Sequence, residues 1–501
     1  MTPWLLALLL FTACESVQPP PATGRFKILQ INDLYKIEGL EGGQSGGLAR
    51  VRTLRKQLEA DGTTVLVLHG GDAIYPSVMS KYLEARPMIA VMNLLDGDPA
   101  RFDPRLIATF GNHEFDNRDP KVLHGRIRES DFQWVATNTT LVLPDAPPVK
   151  KMILVDAAGT RIGLFGLLYP IEKNYARSSD VKASARVAVA ALEEDGADVI
   201  IAITHQDMRD DVDLVKEVPG IDLVIGGHDH LFTQQQVGET WITKADADAR
   251  SVVVYDVTVP RSGPIKTTPQ RVMLDAAIEK DPDVDAAVQR WLAGLAERLG
   301  GNTTIGTTAN LLEGVEPAVR GRETALGNLL ADAMREQMQT DVAMINGGSI
   351  RINDNIPPGP ITKYDMEGVF YFTNRIIATT VTGEDLLEML RNSVSRADAG
   401  DGRFLQVSGV KFTYRAPQFT IEPSAVLVGG RPLDVHARYT VATVDFMYQN
   451  GIEDGYLIFT DGRRPPKINV EREADLRTVV EDYIRREGTV TTAIEGRIVR
   501  Q

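Results

Sequence analysis

Between Phe26 and Pro264, short apolar runs alternate with helical stretches, and a polar residue of ligand type stands just past five of those runs. The runs are Phe26–Ile31, Thr64–Leu68, Leu106–Thr109, Trp134–Thr137, Ile162–Leu167, Val199–Ile203 and Leu223–Ile225, with amphipathic stretches such as Leu48–Leu58 between them. Alternation of this kind predicts an α/β domain whose sheets are covered by helices. The polar residues are Asp33, Asp72, Asn112, His205 and His228. In open α/β sheets, sites form beyond the carboxyl ends of the strands. Five strands delivering such residues to one edge predict a single assembled site.

The chain holds only seven histidines, and four of them, His113, His205, His228 and His230, fall at the ends of apolar runs. In Gly226-Gly227-His228-Asp229-His230, two imidazoles two residues apart can address one point. Imidazole is the commonest transition-metal ligand in proteins. With Asp33, Asp72 and Asn112 the set is mixed oxygen and nitrogen, suited to Mn²⁺, Zn²⁺, Fe or Co. A carboxylate such as Asp72 can bridge two metals about 3.5–4 Å apart, which hold a hydroxide and clamp the oxygens of a phosphoryl displacement. His69 is expected to stand behind this site, and His124 and His436, which match no motif, are expected at the surface or in packing.

At 501 residues the chain exceeds one typical core, so at least two domains are expected. Hydrophobic content of 43% with 24% charged residues describes an ordinary globular protein. A net charge of −14 argues against nucleic-acid polymers and anionic membrane surfaces as partners. Small anionic substrates remain open, because a bound metal or an arginine cluster reverses the local sign. The only cysteine, Cys14, follows the apolar run Trp4–Ala13. That run is too short to span a bilayer and reads as a secretory signal; it resembles a bacterial lipoprotein leader with Cys14 as the lipidated residue. An exported protein, periplasmic or at the cell surface and anchored through Cys14, is expected.

Helical periodicity over Asp281–Gly300, with Pro282 in the first turn and Gly300 past the end, predicts a long connecting helix. Beyond it, helices at Leu326–Met338 and Glu384–Val394 and strands at Ile376–Val381, Val410–Arg415 and Arg438–Thr443 predict a second mixed domain. The expected organisation is a leader and tether over 1–24, a first domain over 25–265, a linker helix within 266–301 and a second domain over 302–501.

Gly71-Asp72, Gly111-Asn112-His113-Glu114-Phe115-Asp116, Thr204-His205 and Gly226–His230 occur together in one order. With them the chain resembles the calcineurin-like metallophosphoesterases, in particular the two-domain 5′-nucleotidases, over nearly its whole length. The resemblance implies a metallophosphoesterase sandwich followed by an α/β 5′-nucleotidase C-terminal domain, and two metal ions. It implies that Asp72 bridges them, that Asn112, His205 and His228 complete one site, and that Asp33 and His230 hold the other. His113, oriented by Asp116, would sit over the phosphate and stabilise or protonate the leaving oxygen. The family's first motif is Asp-x-His, whereas this chain has Asp33-Leu34-Tyr35. A neutral phenol is a weak ligand, so the first metal position is expected to be the weaker. Tyr75, in Gly71-Asp72-Ala73-Ile74-Tyr75, resembles the Gly-Asp-x-x-Tyr motif of purple acid phosphatases, where tyrosinate binds Fe³⁺. The simpler reading is that both tyrosines line the site.

In the second half, Asn346-Gly347-Gly348-Ser349-Ile350-Arg351 is similar to the nucleotidases' substrate-contacting segment, and Arg320 matches an earlier arginine of that family. Phe372 and Phe446 match the pair that sandwiches the nucleobase, and Asp454 the acid that contacts the ribose. The implied activity is metal-dependent hydrolysis of nucleoside 5′-monophosphates. The alternatives are a 2′,3′-cyclic nucleotide or sulfur-ester substrate, or a nucleotide-binding surface lipoprotein with a decayed site.

Overall fold

The computed structural model describes residues 22–460 and 462–501; the leader and Cys14 lie outside the described residues. The first half builds two six-stranded sheets. One contains β1 (Ala22–Ile31), β2 (Val65–His69), β3 (Asp103–Thr109) and β4 (Phe132–Val135). The other contains β5 (Met152–Ala157), β6 (Thr160–Leu168), β7 (Val199–His205), β8 (Leu223–Gly227), β9 (Thr233–Val237) and β10 (Thr240–Lys244). The chain then returns to the first sheet with β11 (Ser251–Pro260) and β12 (Gln270–Met273). The orders are β12-β11-β1-β2-β3-β4 and β9-β10-β8-β7-β6-β5.

The central strands are parallel, with Ile31 opposite His69 and His205 opposite Gly227, so their carboxyl ends lie level. They read as continuous apolar runs because both faces are covered. The sheets face each other through Ile28, Leu66, Leu68 and Ile107 on one side and Leu164, Ile201, Ile203 and Ile225 on the other, all buried. Each such side chain contributes about 1.5–3 kcal/mol on burial. Helix α1 (Leu48–Glu59) covers the outer face of the first sheet. Helices α2 (Val181–Glu194) and α3 (Met208–Glu217) cover that of the second.

Helix α4 (Pro282–Arg298) is capped by Asp281, whose carboxylate accepts from the Asp283 and Val284 amides, and Gly300 has φ +72°. The segment expected as a linker docks its Val284, Val288, Leu295 and Leu299 on the first domain's outer layer. In the second half, α5 (Ala325–Met338) and α6 (Gly383–Val394) pack on a mixed sheet. That six-stranded sheet contains β13 (Val342–Asn346), β14 (Arg375–Thr382), β15 (Leu405–Ser408), β16 (Arg438–Val444) and β17 (Lys467–Ile468), in the order β15-β13-β16-β14-β17, with Ala474–Asp475 also pairing with β14.

Polar contacts tie the halves together. Lys36 Nζ meets Asp354 Oδ2 at 2.7 Å, the Glu41 amide donates to Asp354 Oδ1 at 2.9 Å, and Lys81 Nζ lies 3.4 Å from Glu367 Oε2. Among the described residues no helix is long and apolar enough to cross a membrane.

Candidate active site

The residues at or just past the ends of β1, β2, β3, β7 and β8 converge, as the strand-end pattern predicts. The backbone there is unusual. Asp33, Asp72, His228 and His230 all have positive φ, between 51° and 85°. Non-glycine residues in this region carry strain that is found at functional sites. The sheets also approach closely at their carboxyl ends. A Cβ on Gly227 would lie 2.3 Å from the Gly70 carbonyl oxygen, and one on Gly111 would lie 2.1 Å from Asp72 Oδ1. Only glycine fits at these two points.

Asp72 is fully buried and its two oxygens have different company. Oδ1 accepts from the His113 amide at 2.9 Å. Oδ2 lies 3.2 Å from His205 Nε2 and 3.1 Å from the Tyr35 hydroxyl. His205 donates Nδ1–H to the Gly70 carbonyl at 2.8 Å, and its Nε2 also faces Asn112 Oδ1 at 3.1 Å. A ring nitrogen and two acceptor oxygens thus share one space, which takes either a proton or a cation. Burial alone would lower the His205 pKa, but Asp72 outweighs it and pushes it up to about 9, so without a cation the proton occupies that space. His228 stands with its ring centroid 5.1 Å from that of His205, and burial together with His205 pushes it down to about 4, leaving a neutral imidazole.

On the other side of Asp72 Oδ2, the Tyr35 hydroxyl lies 3.3 Å from Asp33 Oδ1 and 2.9 Å from His230 Nε2. Asp33 Oδ2 is engaged by Asn32 Nδ2 at 2.7 Å and the His228 amide at 3.0 Å, which leaves Oδ1 turned inward. The carboxylates of Asp33 and Asp72 and the His205 ring offer donor atoms all within 4.8 Å of one another. The donor chemistry of this group fits a divalent cation.

His113 projects toward the cleft with Nδ1 2.7 Å from Asp116 Oδ2. Burial would lower its pKa, but Asp72 and Asp116 outweigh it and raise it. Glu114, a motif member without an expected role, is fully buried. It accepts from the amides of Asp72 at 3.0 Å, Ala73 at 2.6 Å, Ile74 at 3.1 Å, and Gly111. This clamps the Asp72 loop to the Asn112 loop.

A cleft of about 520 Å³ between the domains is lined by His113, His228 and His230 from the first and by Glu316, Arg320 and Arg351 from the second. Glu316 joins the two sides: one oxygen pairs with Arg320 and the other lies 3.1 Å from His230 Nδ1. The Arg351 guanidinium sits 5.7 Å from the Phe372 ring centroid. Phe372 and Phe446 are 46% and 37% exposed, so neither is a core residue. The Arg375 amide donates to Asp445 Oδ1 at 3.0 Å, which brings the loop after Phe372 against the helix start that carries Phe446. Asn346 Nδ2 donates to Asp454 Oδ2 at 3.3 Å.

One expectation changes, and those for His69, His124 and His436 hold. Tyr75 does not face the donors: its hydroxyl accepts from Asn117 Nδ2 at 3.1 Å, so it is not a candidate metal ligand. His124 is fully buried with neither ring nitrogen partnered, hence a packing residue, whereas His436 is exposed. His69 stands behind the site with Nδ1 accepting from the Gly71 amide at 3.1 Å, and burial pushes it down to about 4. Lys244 carries no signal in sequence and Asp229 has no expected role within its motif, yet they support the histidine turn. Buried Lys244 Nζ lies 2.8 Å from Asp229 Oδ2 and 3.5 Å from Asp211 Oδ2, and donates to the Gln206 carbonyl.

Facing sheets with metal-type donors at their strand ends, and a second domain closing over them, define a two-domain phosphoric ester hydrolase. Residues 26–232 match the calcineurin-like phosphoesterase model, and residues 304–461 match the 5′-nucleotidase C-terminal domain model. The chain belongs to the 5′-nucleotidase family of metallophosphoesterases. It is 27% identical to a snake venom 5′-nucleotidase of Naja atra over 91% of this chain and 93% of that one. It is 24% identical to the 5′-nucleotidase of Rattus norvegicus over 99% of this chain and 93% of that one. The fold is similar to that of a 5′-nucleotidase precursor from Thermus thermophilus, with a TM-score of 0.77 at 24% identity over 95% of this chain and 99% of that one. It is also similar to the Thermus thermophilus sulfate thiohydrolase SoxB, with a TM-score of 0.71 at 18% identity over 96% of this chain and 98% of that one.

Proposed function

We propose that this hydrolase cleaves nucleoside 5′-monophosphates to nucleoside and phosphate. The observation that carries the reading is the interdomain cleft, where His113, His228 and His230 face Arg320 and Arg351. Asp72, Asn112, His205 and His228 would hold one ion, and Asp33 and His230 the other, with Asp72 shared. Bound there, two ions of Mn, Zn, Co or Fe supply Lewis acidity toward the phosphoryl oxygens and water. Arg351 grips the phosphate with its planar fork, and Arg320 lies beside it, held by Glu316. The open faces of Phe372 and Phe446 take the base, and Asp454 with Asn346 takes the ribose. His113, oriented by Asp116, holds a proton at the leaving oxygen.

The proposal includes export and anchoring through Cys14, which rest on the leader sequence alone. A substrate panel tests the catalytic reading. Metal-free protein reloaded with Mn²⁺, Zn²⁺, Co²⁺ or Fe is given AMP, 2′,3′-cyclic AMP, p-nitrophenyl phosphate and a thiosulfate ester. AMP should have the highest kcat/KM; a cyclic or sulfur-ester preference would reject the 5′-monophosphate assignment, and nucleotide binding without turnover would reject catalysis.

A further inference from the structure

We propose that Tyr35 is itself a ligand of the first metal position, binding as phenolate, and that this position takes Fe³⁺. The inference rests on the metal assignment above and deepens it, and it reverses the expectation that Tyr35 marks a missing ligand.

Geometry puts the phenol oxygen inside the donor set rather than beside it. It lies 2.9 Å from His230 Nε2, 3.1 Å from Asp72 Oδ2 and 3.3 Å from Asp33 Oδ1. Its position is built in. The amides of Tyr35 and Lys36 both donate to Asp248 Oδ1, at 2.7 and 2.9 Å, and the ring packs edge-on against His230 with centroids 5.4 Å apart. The side chain is buried, 8% exposed.

Without a cation, protons hold this arrangement: burial lowers the His230 pKa, but Glu316 and Asp33 outweigh it and raise it well above its ordinary value. His230 Nδ1 faces Glu316 Oε2 at 3.1 Å, so with a cation bound the ring donates there and turns its Nε2 lone pair toward Tyr35. A phenol has one hydrogen. Asp33 Oδ1 and Asp72 Oδ2 face it as acceptors, and they share the hydrogens of the Tyr35 hydroxyl, His230 Nε2 and His205 Nε2. A cation displaces these hydrogens and engages the phenol oxygen and its three neighbours together.

Charge selects the ion. With imidazole in place of Tyr35, the buried set would carry the charge of Asp33 and a share of Asp72. Phenolate adds one negative charge, and a trivalent ion restores the balance that a divalent ion keeps with imidazole. Anionic oxygen donors favour hard cations. On binding, the phenol O–H bond breaks, its proton leaves to solvent, and the bond from Tyr35 Oη to iron forms; no electron is transferred.

The full-length protein is stripped of metal and titrated with ferric citrate in the presence of Zn²⁺. Bound iron is measured by atomic emission, and visible absorption and resonance Raman spectra are recorded. Wild type and the Tyr75→Phe control should take up stoichiometric iron and show a phenolate-to-iron band with tyrosinate ring modes. Tyr35→Phe and Tyr35→His should lose the band while keeping the wild-type melting temperature. Stoichiometric iron without a band in wild type, a band that survives Tyr35→Phe, or Zn²⁺ excluding iron from both positions would each overturn the proposal. AMP turnover in the same samples separates the two readings. A colourless, zinc-loaded enzyme that hydrolyses AMP rejects Tyr35 ligation alone. A coloured protein that does not hydrolyse AMP rejects the nucleotidase assignment alone.

Discussion

Glu316 Oε2, from the second domain, lies 3.1 Å from Nδ1 of His230 in the first. The contact fixes the imidazole tautomer and couples the proposed metal position at His230 to domain placement. Carboxylates behind metal-ligating histidines typically contribute about 10–100-fold to metal affinity. Glu316→Ala should weaken binding at that position by about this factor, while Glu316→Gln, which still accepts from Nδ1–H, should restore part of it. Isothermal metal titration checks both, and unchanged affinity in Glu316→Ala would show that the domain contact is incidental to the metal.

His113→Ala should lose about 10²-fold or more in kcat, the scale of a general acid or electrostatic group. Metal content should stay at the wild-type level, because it is the His113 backbone amide, kept in the variant, that donates to Asp72 Oδ1. Wild-type turnover would remove His113 from the mechanism.

The pH profile follows from the same pair. Burial lowers the His113 pKa, but Asp72 and Asp116 raise it above its ordinary value overall. If the protonated ring assists the leaving oxygen, activity is retained below that raised pKa and lost as pH rises through it. Asp116→Asn removes one raising partner, so the alkaline fall-off should move to lower pH. A kcat profile of the two proteins measures this; an unmoved limb would mean that another group sets it.

Much of this arrangement was legible in the chain because the signal was local. A polar residue after a strand is read from one segment, and Asp33, Asp72, Asn112, His205 and His228 all arrive where that pattern puts them. The valine-rich strand β11 is legible by its composition, whereas β9, with exposed Gln234-Gln235-Gln236 at a sheet edge, carries no apolar signal. Sequence failed where the partner is distant. The i, i+4 spacing of Glu316 and Arg320 is visible, but the reach of Glu316 to His230 depends on domain docking. Tyr35 was read by its residue type as a lost ligand, and only the placement of its hydroxyl shows the company it keeps.

Lys244 tests whether the histidine turn is held electrostatically. Its ammonium is buried between Asp229 and Asp211 and donates to the carbonyl that follows His205. Removing one partner of a buried pair costs about 3–5 kcal/mol, because the other charge is stranded. Lys244→Met should lose about that much in urea unfolding, with Asp211 left facing an apolar chain. The double variant Lys244→Met with Asp211→Asn should recover part of the loss, and an unstable double variant would point to packing instead.

Phe372 and Phe446 decide between base recognition and a purely structural role. Their 46% and 37% exposure leaves ring faces open to a stacking partner. The Arg351 guanidinium over Phe372 links that ring to the proposed phosphate group. Base–aromatic stacking contributes about 1–3 kcal/mol in nucleic-acid binders, equivalent to roughly 5- to 150-fold in affinity. Each of Phe372→Ala and Phe446→Ala should therefore raise KM for AMP by a factor in that range while leaving p-nitrophenyl phosphate, which carries no nucleobase, nearly unaffected. The comparison is internal, since a general loss of fold lowers both activities together. Equal losses on the two substrates would assign the rings to packing between the Phe372 loop and the Phe446 helix. An unchanged KM for AMP would move the base elsewhere in the cleft.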